Sequence, residues 1–272
     1  MLKEQTFNTG VISINYAEGP PAGAPLVLLS GITGWWQTWL PIMPALSLRW
    51  HIYALDFRGH GKSDRVAGGY QWEAYAEDTI SFLKERVGEP AILMGHSLGA
   101  MVTIQIAAQA PERVRAIVLE DPPLFSNKGA RLRESGTYNR FLAWRDLARA
   151  NYSLETWLPA LAEINPADTA VGLRYRARTL SLLDPDVLTQ VLDGSGTEKH
   201  DIEAYLQQIS CPALLLRGDP ALGGAIQDRD VERLISLFPA CLIVPMPEVG
   251  HGIHSQQPEE FSKVVSAFLE TV

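Results

Sequence analysis

Ser97 stands between two glycines in Gly95-His96-Ser97-Leu98-Gly99, directly after the apolar run Ala91-Ile92-Leu93-Met94 and directly before the apolar stretch Leu98–Gln109. A serine hydroxyl is a poor nucleophile at its ordinary pKa and attacks a carbonyl only when a nearby base takes its proton. A Gly-x-Ser-x-Gly pentapeptide meets the geometric requirement only where a strand runs in and a helix runs out. There a sharp turn lifts the hydroxyl clear of the sheet and sets it beside the free N–H groups of the helix. Gly95 and Gly99 take away side chains that would clash at such a bend. A helix N-cap also accounts for a serine before a helix, but not for the paired glycines.

The base would come from one of six histidines. His251 and His254 fall in the loop between the last apolar run and the last helical pattern, and an imidazole titrating near ~6.5 can accept and return a proton at neutral pH. His51 opens a strand, His60 sits in a turn, His96 adjoins the serine but points away from it, and His200 lies in a polar stretch. A carboxylate must then fix the imidazole's tautomer and stabilise its charged form without itself taking the proton. Asp121 and Asp219 are among the carboxylates that lie between Ser97 and His251 in chain order. Asp121 ends the run "AIVLEDPP", where strand alternation turns it away from the face of Glu120. Asp219 follows the apolar run Ala213–Leu216. One oxyanion donor would be the N–H of Leu98, directly after the nucleophile, and the other would come from the loop after Leu26–Leu29. No metal-ligand cluster and no cofactor loop stands out, so neither a metal nor a cofactor is expected.

These groups need a scaffold. Val11–Tyr16, Leu26–Leu29, His51–Leu55, Ala91–Met94, Ala116–Leu119, Ala213–Leu216 and Leu242–Val244 are short runs, mostly apolar at consecutive positions. That is the pattern of parallel strands covered on both faces. The first run alternates and reads as an edge strand. Tyr70–Val87, Leu98–Gln109 and Pro258–Leu269 have helical spacing, giving strand–helix alternation and an α/β fold with a mostly parallel sheet. From Pro122-Pro123 to about Gln208 the patterns are helical only: Tyr138–Ala150, Leu154–Glu163, Ala170–Leu183, Pro185–Leu192 and Ile202–Gln208. This reads as a helical insertion between two strands.

The bulk numbers fit. The 272 residues are 46% hydrophobic and 20% charged, with a net charge of −8 that argues against nucleic acid or an anionic membrane as partner. The start lacks a secretory pattern and no stretch reaches the ~18 apolar residues of a membrane span. Cys211 and Cys241 read as buried free thiols. The expectation is a cytoplasmic monomer or homodimer that binds a small molecule.

In order along the chain, "LVLLSGITGWWQTW", "LDFRGHGKSD", "GHSLGA" and "VGHGIH" together resemble the oxyanion loop, Asp-x-x-Gly-x-Gly-x-Ser turn, nucleophile elbow and histidine loop of the α/β-hydrolase family. The resemblance implies a core of residues 1–122 and 209–272 with a helical cap at 123–208, and a Ser–His–acid mechanism on Ser97 and His251. It also implies Ile32 as the second oxyanion donor beside Leu98. The family's usual acid position, Gly-x-x-Asp after Ala213–Leu216, falls on Ala221. Some members carry the acid at the strand end occupied here by Asp121, which is therefore favoured over Asp219. Trp35, Trp36, Tyr138 and Trp144 are candidate pocket residues. Among the arginines of the insertion, from Arg131 to Arg178, one could meet a substrate carboxylate, most being solvated. The reading is a cofactor-free serine hydrolase of a small carboxylic ester or amide. The same residues leave open a carbon–carbon bond hydrolase of a diketone acid, a perhydrolase, or a ligand receptor on the same fold.

Overall fold

The computed structural model describes residues 2–125, 132, 136–150 and 153–272. Eight strands, β1 (Lys3–Asn8), β2 (Ser13–Glu18), β3 (Pro25–Leu29), β4 (His51–Leu55), β5 (Ala91–His96), β6 (Val114–Glu120), β7 (Ala213–Arg217) and β8 (Cys241–Pro245), form one sheet in the order β1-β2-β4-β3-β5-β6-β7-β8. The β1–β2 and β2–β4 pairs are antiparallel; every other pair is parallel.

Consecutive apolar residues feed two cores. Val27, Leu29 and Leu93 point into one with Tyr75, Phe82 and Ile104, while Leu26, Leu28, Ile92 and Met94 point into the other with Trp39, Met43 and Phe261. This is the period-2 alternation of a strand read on two buried faces. On the first face lie α1 (Trp72–Phe82) and α2 (Leu98–Gln109), and on the second α9 (Pro258–Leu269).

Two elements escaped the sequence pattern. The strand β1, "KEQTFN", is exposed at alternate positions and too polar to register as an apolar run, so β2, expected at the edge, has a neighbour on each side. The helix α8 (Asp228–Leu237) carries four apolar residues among charged ones and buries Leu234 while Ile235 stays exposed. Its start is tied by the Gln227 N–H donating to Asp230 at 3.1 Å. The cysteines are free but only half-buried.

Between β6 and β7 lie five helices and no strand among the described residues: α3 (Gly136–Ala150), α4 (Leu154–Ile164), α5 (Ala170–Ser181), α6 (Pro185–Asp193) and α7 (Ile202–Gln208). This insertion is bolted to the sheet side by polar bonds. The Tyr70 hydroxyl donates to Asp184 at 2.7 Å, its N–H donates to Gln190 at 3.0 Å, and the Asp184 N–H donates to the Gly59 carbonyl at 2.7 Å.

The Asp56–Asp64 turn that receives the insertion is itself rigid. Arg58 makes a bidentate pair with Asp78 at 2.7 and 2.8 Å, and its carbonyl accepts from buried His60 Nδ1–H at 2.9 Å. Burial pushes the His60 imidazole down to about 4, because a charged ring in an apolar site loses its hydration. Folding thus holds His60 neutral while the unfolded chain protonates it near ~6.5. Its contribution to stability is complete above that pH and is lost as the pH falls toward 4. The wild type should lose on the order of 2 kcal/mol through this group between pH 7.5 and pH 5. His60→Asn, which keeps a donor for the Arg58 carbonyl, should show a shallower decline in urea titrations over the same window; parallel declines would contradict the assignment.

Candidate active site

β5 ends at His96, paired with Glu120 of β6. The next residue on each strand is Ser97 and Asp121, so register alone makes them neighbours at the carboxyl edge of the sheet. Both leave the strand with left-handed backbones, φ 53° at Ser97 and φ 43° at Asp121. Such a conformation costs a non-glycine residue roughly 1–3 kcal/mol and persists only where its surroundings enforce it. Here the Ser97 N–H donates to the Glu120 carbonyl at 3.0 Å and the Asp121 N–H to the Leu216 carbonyl at 2.8 Å. The flanking glycines are required by contact: a Cβ on Gly99 would lie 1.9 Å from the Leu29 carbonyl oxygen, and one on Gly95 2.3 Å from the Gly99 backbone.

The carboxylate of Asp121 is fully buried. Its Oδ2 accepts from His251 Nδ1–H at 2.7 Å and from the Ala225 N–H at 2.7 Å, and its Oδ1 accepts from the Gly218 N–H at 3.2 Å. These bonds leave His251 Nε2 as the proton-accepting nitrogen. Asp219 lies elsewhere in purpose: it caps its own turn, accepting from the Ala221 N–H at 2.8 Å. Ser97 and His251 line one cavity of about 410 Å³, together with Ile32 and Leu98. The Gly31–Gly34 turn is closed by the Gly34 N–H on the Gly31 carbonyl, and Ser30 Oγ, which donates to the Trp35 carbonyl at 3.0 Å, braces it. Leu98 opens α2, where the first N–H groups have no intrahelical acceptor.

His96 does more than point away. Its Nε2–H donates to the His251 carbonyl at 2.9 Å and its ring lies 4.7 Å from that of His251. Burial pushes it down to about 4, so it acts as a neutral brace. Beneath it, Glu120 accepts from the His254 N–H at 2.8 Å and from His254 Nδ1–H at 2.7 Å, with both residues buried. Burial would raise the Glu120 carboxyl, but the charge and bonds of His254 hold it below the ordinary range. The sequence held a cue: the adjacent acids Glu120 and Asp121 on opposite faces match two bases three residues apart, His251 and His254.

The cavity wall redraws the pocket expected from sequence. Thr137, Arg140, Phe141 and Trp144 line it, spaced i, i+3, i+4 and i+7 along one face of α3; Tyr138 lies off that stripe and outside the lining. Trp35 and Trp36 are not lining residues either. They are buried in the second core, where the Trp36 N–H donates to Asp56 at 2.7 Å and its ring N–H to Glu4 at 2.8 Å. Arg140 and Arg176 do line the cavity, whereas Arg131 and Arg133 lie outside the described residues. Among the described residues no group of three His, Cys, Asp or Glu could hold a metal ion, and no helix is long and apolar enough to cross a membrane.

Residues 26–264 match the sequence profile of the alpha/beta hydrolase family. The chain belongs to this family. Among curated α/β-hydrolase relatives, a candidate 2-succinyl-6-hydroxy-2,4-cyclohexadiene-1-carboxylate synthase of Bacillus subtilis is 29% identical, with 98% of each chain covered. A 2-(acetamidomethylene)succinate hydrolase of Mesorhizobium japonicum is 27% identical over 96% of this chain and 93% of that one. The crystal structure of an N-formylmaleamic acid deformylase from Pseudomonas putida S16 superposes with a TM-score of 0.82 at 25% identity, covering 97% of this chain and all of that one.

Glu120, paired with His254, and Asp219, which caps its own turn, should respond differently to truncation. Glu120→Ala strands a buried His254 and should cost about 3–5 kcal/mol in denaturant titration. Asp219→Ala removes a turn cap and should cost about 1 kcal/mol. Equal losses would contradict the buried-pair description.

Proposed function

We propose that the protein is a serine hydrolase that cleaves a small carboxylic ester or amide through an acyl-enzyme on Ser97, with residues 123–208 acting as the cap over the reacting groups. The observation that carries this reading is the 2.7 Å bond from His251 Nδ1–H to buried Asp121 in a cavity shared with a serine on a strained strand-to-helix turn. Ser97 Oγ attacks the carbonyl carbon as its proton passes to His251 Nε2, and the imidazolium that forms is stabilised by Asp121. The oxyanion is met by the N–H groups of Ile32 and Leu98, each worth roughly 2.7–4 kcal/mol in such sites. Collapse expels the leaving group, which takes the proton from His251. Water, deprotonated by the same imidazole, then cleaves the ester to Ser97, releasing the acid and restoring the hydroxyl.

The names of two relatives support hydrolysis of amides derived from carboxylic acids: 2-(acetamidomethylene)succinate hydrolase and N-formylmaleamate deformylase. A third relative is named a synthase, so the family fold by itself does not choose the reaction.

Hydrolysis of p-nitrophenyl butyrate tests the reading. Ser97→Ala should abolish it while circular dichroism stays native. Asp121→Asn should lower kcat by about 10⁴-fold, and Asp219→Asn by no more than a few-fold. Retained activity in the serine variant, or a large loss confined to Asp219→Asn, would overturn the assignment.

A further inference from the structure

The cavity contains two cationic side chains whose chemistry the hydrolytic step does not use. Arg140, on the cavity-facing stripe of α3, and Arg176, on α5, lie against the same Trp144 ring, with their guanidinium carbons 5.4 and 4.7 Å from its centroid. Their electrostatic situations differ. Arg176 donates from Nε to Asp168 at 2.8 Å, which neutralises it from behind. Arg140 donates to Thr137 Oγ1 at 3.2 Å and makes no ion pair with an acid among the described residues, feeling Asp168 only at a distance. Among the described residues, no aspartate or glutamate lines the cavity. Partial desolvation at the cavity wall and the like charge of Arg176 push the guanidinium of Arg140, a residue that stays partly exposed to solvent, below its ordinary range, while Asp168 pulls the other way. That depression is the mark of a cation that an anion would stabilise.

We infer that Arg140 anchors a carboxylate of the substrate, with Arg176 and the Trp144 face shaping the seat, so that the preferred ester or amide carries one negative charge close to the scissile carbonyl. This rests on the hydrolase reading above for the reaction but not for the binding. One charge follows from the balance among the described residues: two arginines less Asp168 leave one uncompensated cation. Closeness follows from the cavity, whose volume of about 410 Å³ is near the lower end of ligand pockets, roughly 300–1,000 Å³. A guanidinium suits the role because its planar donors can grip both oxygens of a carboxylate while its face stays on the indole.

Three esters test it: p-nitrophenyl butyrate, mono-p-nitrophenyl succinate and 4-carboxyphenyl butyrate, the last two placing a carboxylate on the acyl and on the leaving side. The wild type should favour one anionic ester over the neutral one in kcat/KM. Arg140→Met should lower that anionic-to-neutral ratio at least tenfold, chiefly through KM, and Arg140→Lys should recover part of it. A ratio within twofold of wild type in Arg140→Met, or no anionic preference in wild type, overturns the subsite even if Ser97 proves to be the nucleophile. Should no ester be hydrolysed, the reaction reading fails, and calorimetric titration with monomethyl succinate still judges the subsite. Binding weakened at least tenfold by Arg140→Met supports it; equal Kd values, or no binding to wild type, overturn it.

Discussion

The backbone of Ser97 sits where an L-residue is strained, φ 53° and ψ −114°, and the rest of the site is arranged around that bend. The bend can form only if β5 runs straight into α2 with no side chains at positions 95 and 99, since a Cβ at either would enter neighbouring backbone. It is held by a bond from the Ser97 N–H to β6. That same pairing carries Asp121 to the adjacent position at the sheet's carboxyl edge, where open α/β sheets form their crevices. A local steric constraint on five residues thus fixes which carboxylate stands beside the serine. It is not Asp219, whose oxygen is already engaged in capping its own turn.

The end of β6 also organises the histidine loop. Consecutive residues of a strand face opposite sides, and here Asp121 faces up to His251 while Glu120 faces down to His254. Two carboxylates on one strand end therefore brace both ends of the loop 251–254. His96 links the two levels, with its ring 4.7 Å from His251 and 5.3 Å from His254. The lower pair is stacked among Trp39 and Phe261 in the second core. In so dry a place the hydrogen-bonded pair gives positional definition more than net stability.

Most of the candidate site's layout was legible because it is local in sequence. The elbow, the histidine after Gly250 and the aspartate before two prolines each follow or end an apolar run, and strand-helix alternation supplied the sheet that joins them. What failed was the inference from proximity along the chain. Trp35 and Trp36 lie only a few residues after Ile32, yet the turn at Gly31–Gly34 sends them to the opposite core. Tyr138 and Arg140 differ by two positions on one helix, and that rotation removes the first from the cavity and brings the second into it. The helical period was visible in Phe141, Trp144, Leu147 and Ala148; which face meets the cavity is set by tertiary packing, which no local pattern contains. The polar strand β1 escaped for a related reason, since it buries little and is held by its ladder to β2.

A fold shared with hydrolases and with a protein named as a synthase does not by itself choose a reaction. The central claim is narrower: that the constrained hydroxyl of Ser97 is made nucleophilic by the His251–Asp121 pair. Incubation of the folded protein with a fluorophosphonate, followed by peptide mapping, measures that reactivity without any choice of substrate. The account predicts one phosphonylated peptide carrying the modification on Ser97, formed far more slowly when Asp121 is replaced by asparagine. A protein that takes no label at Ser97, or takes it on another serine, would contradict it.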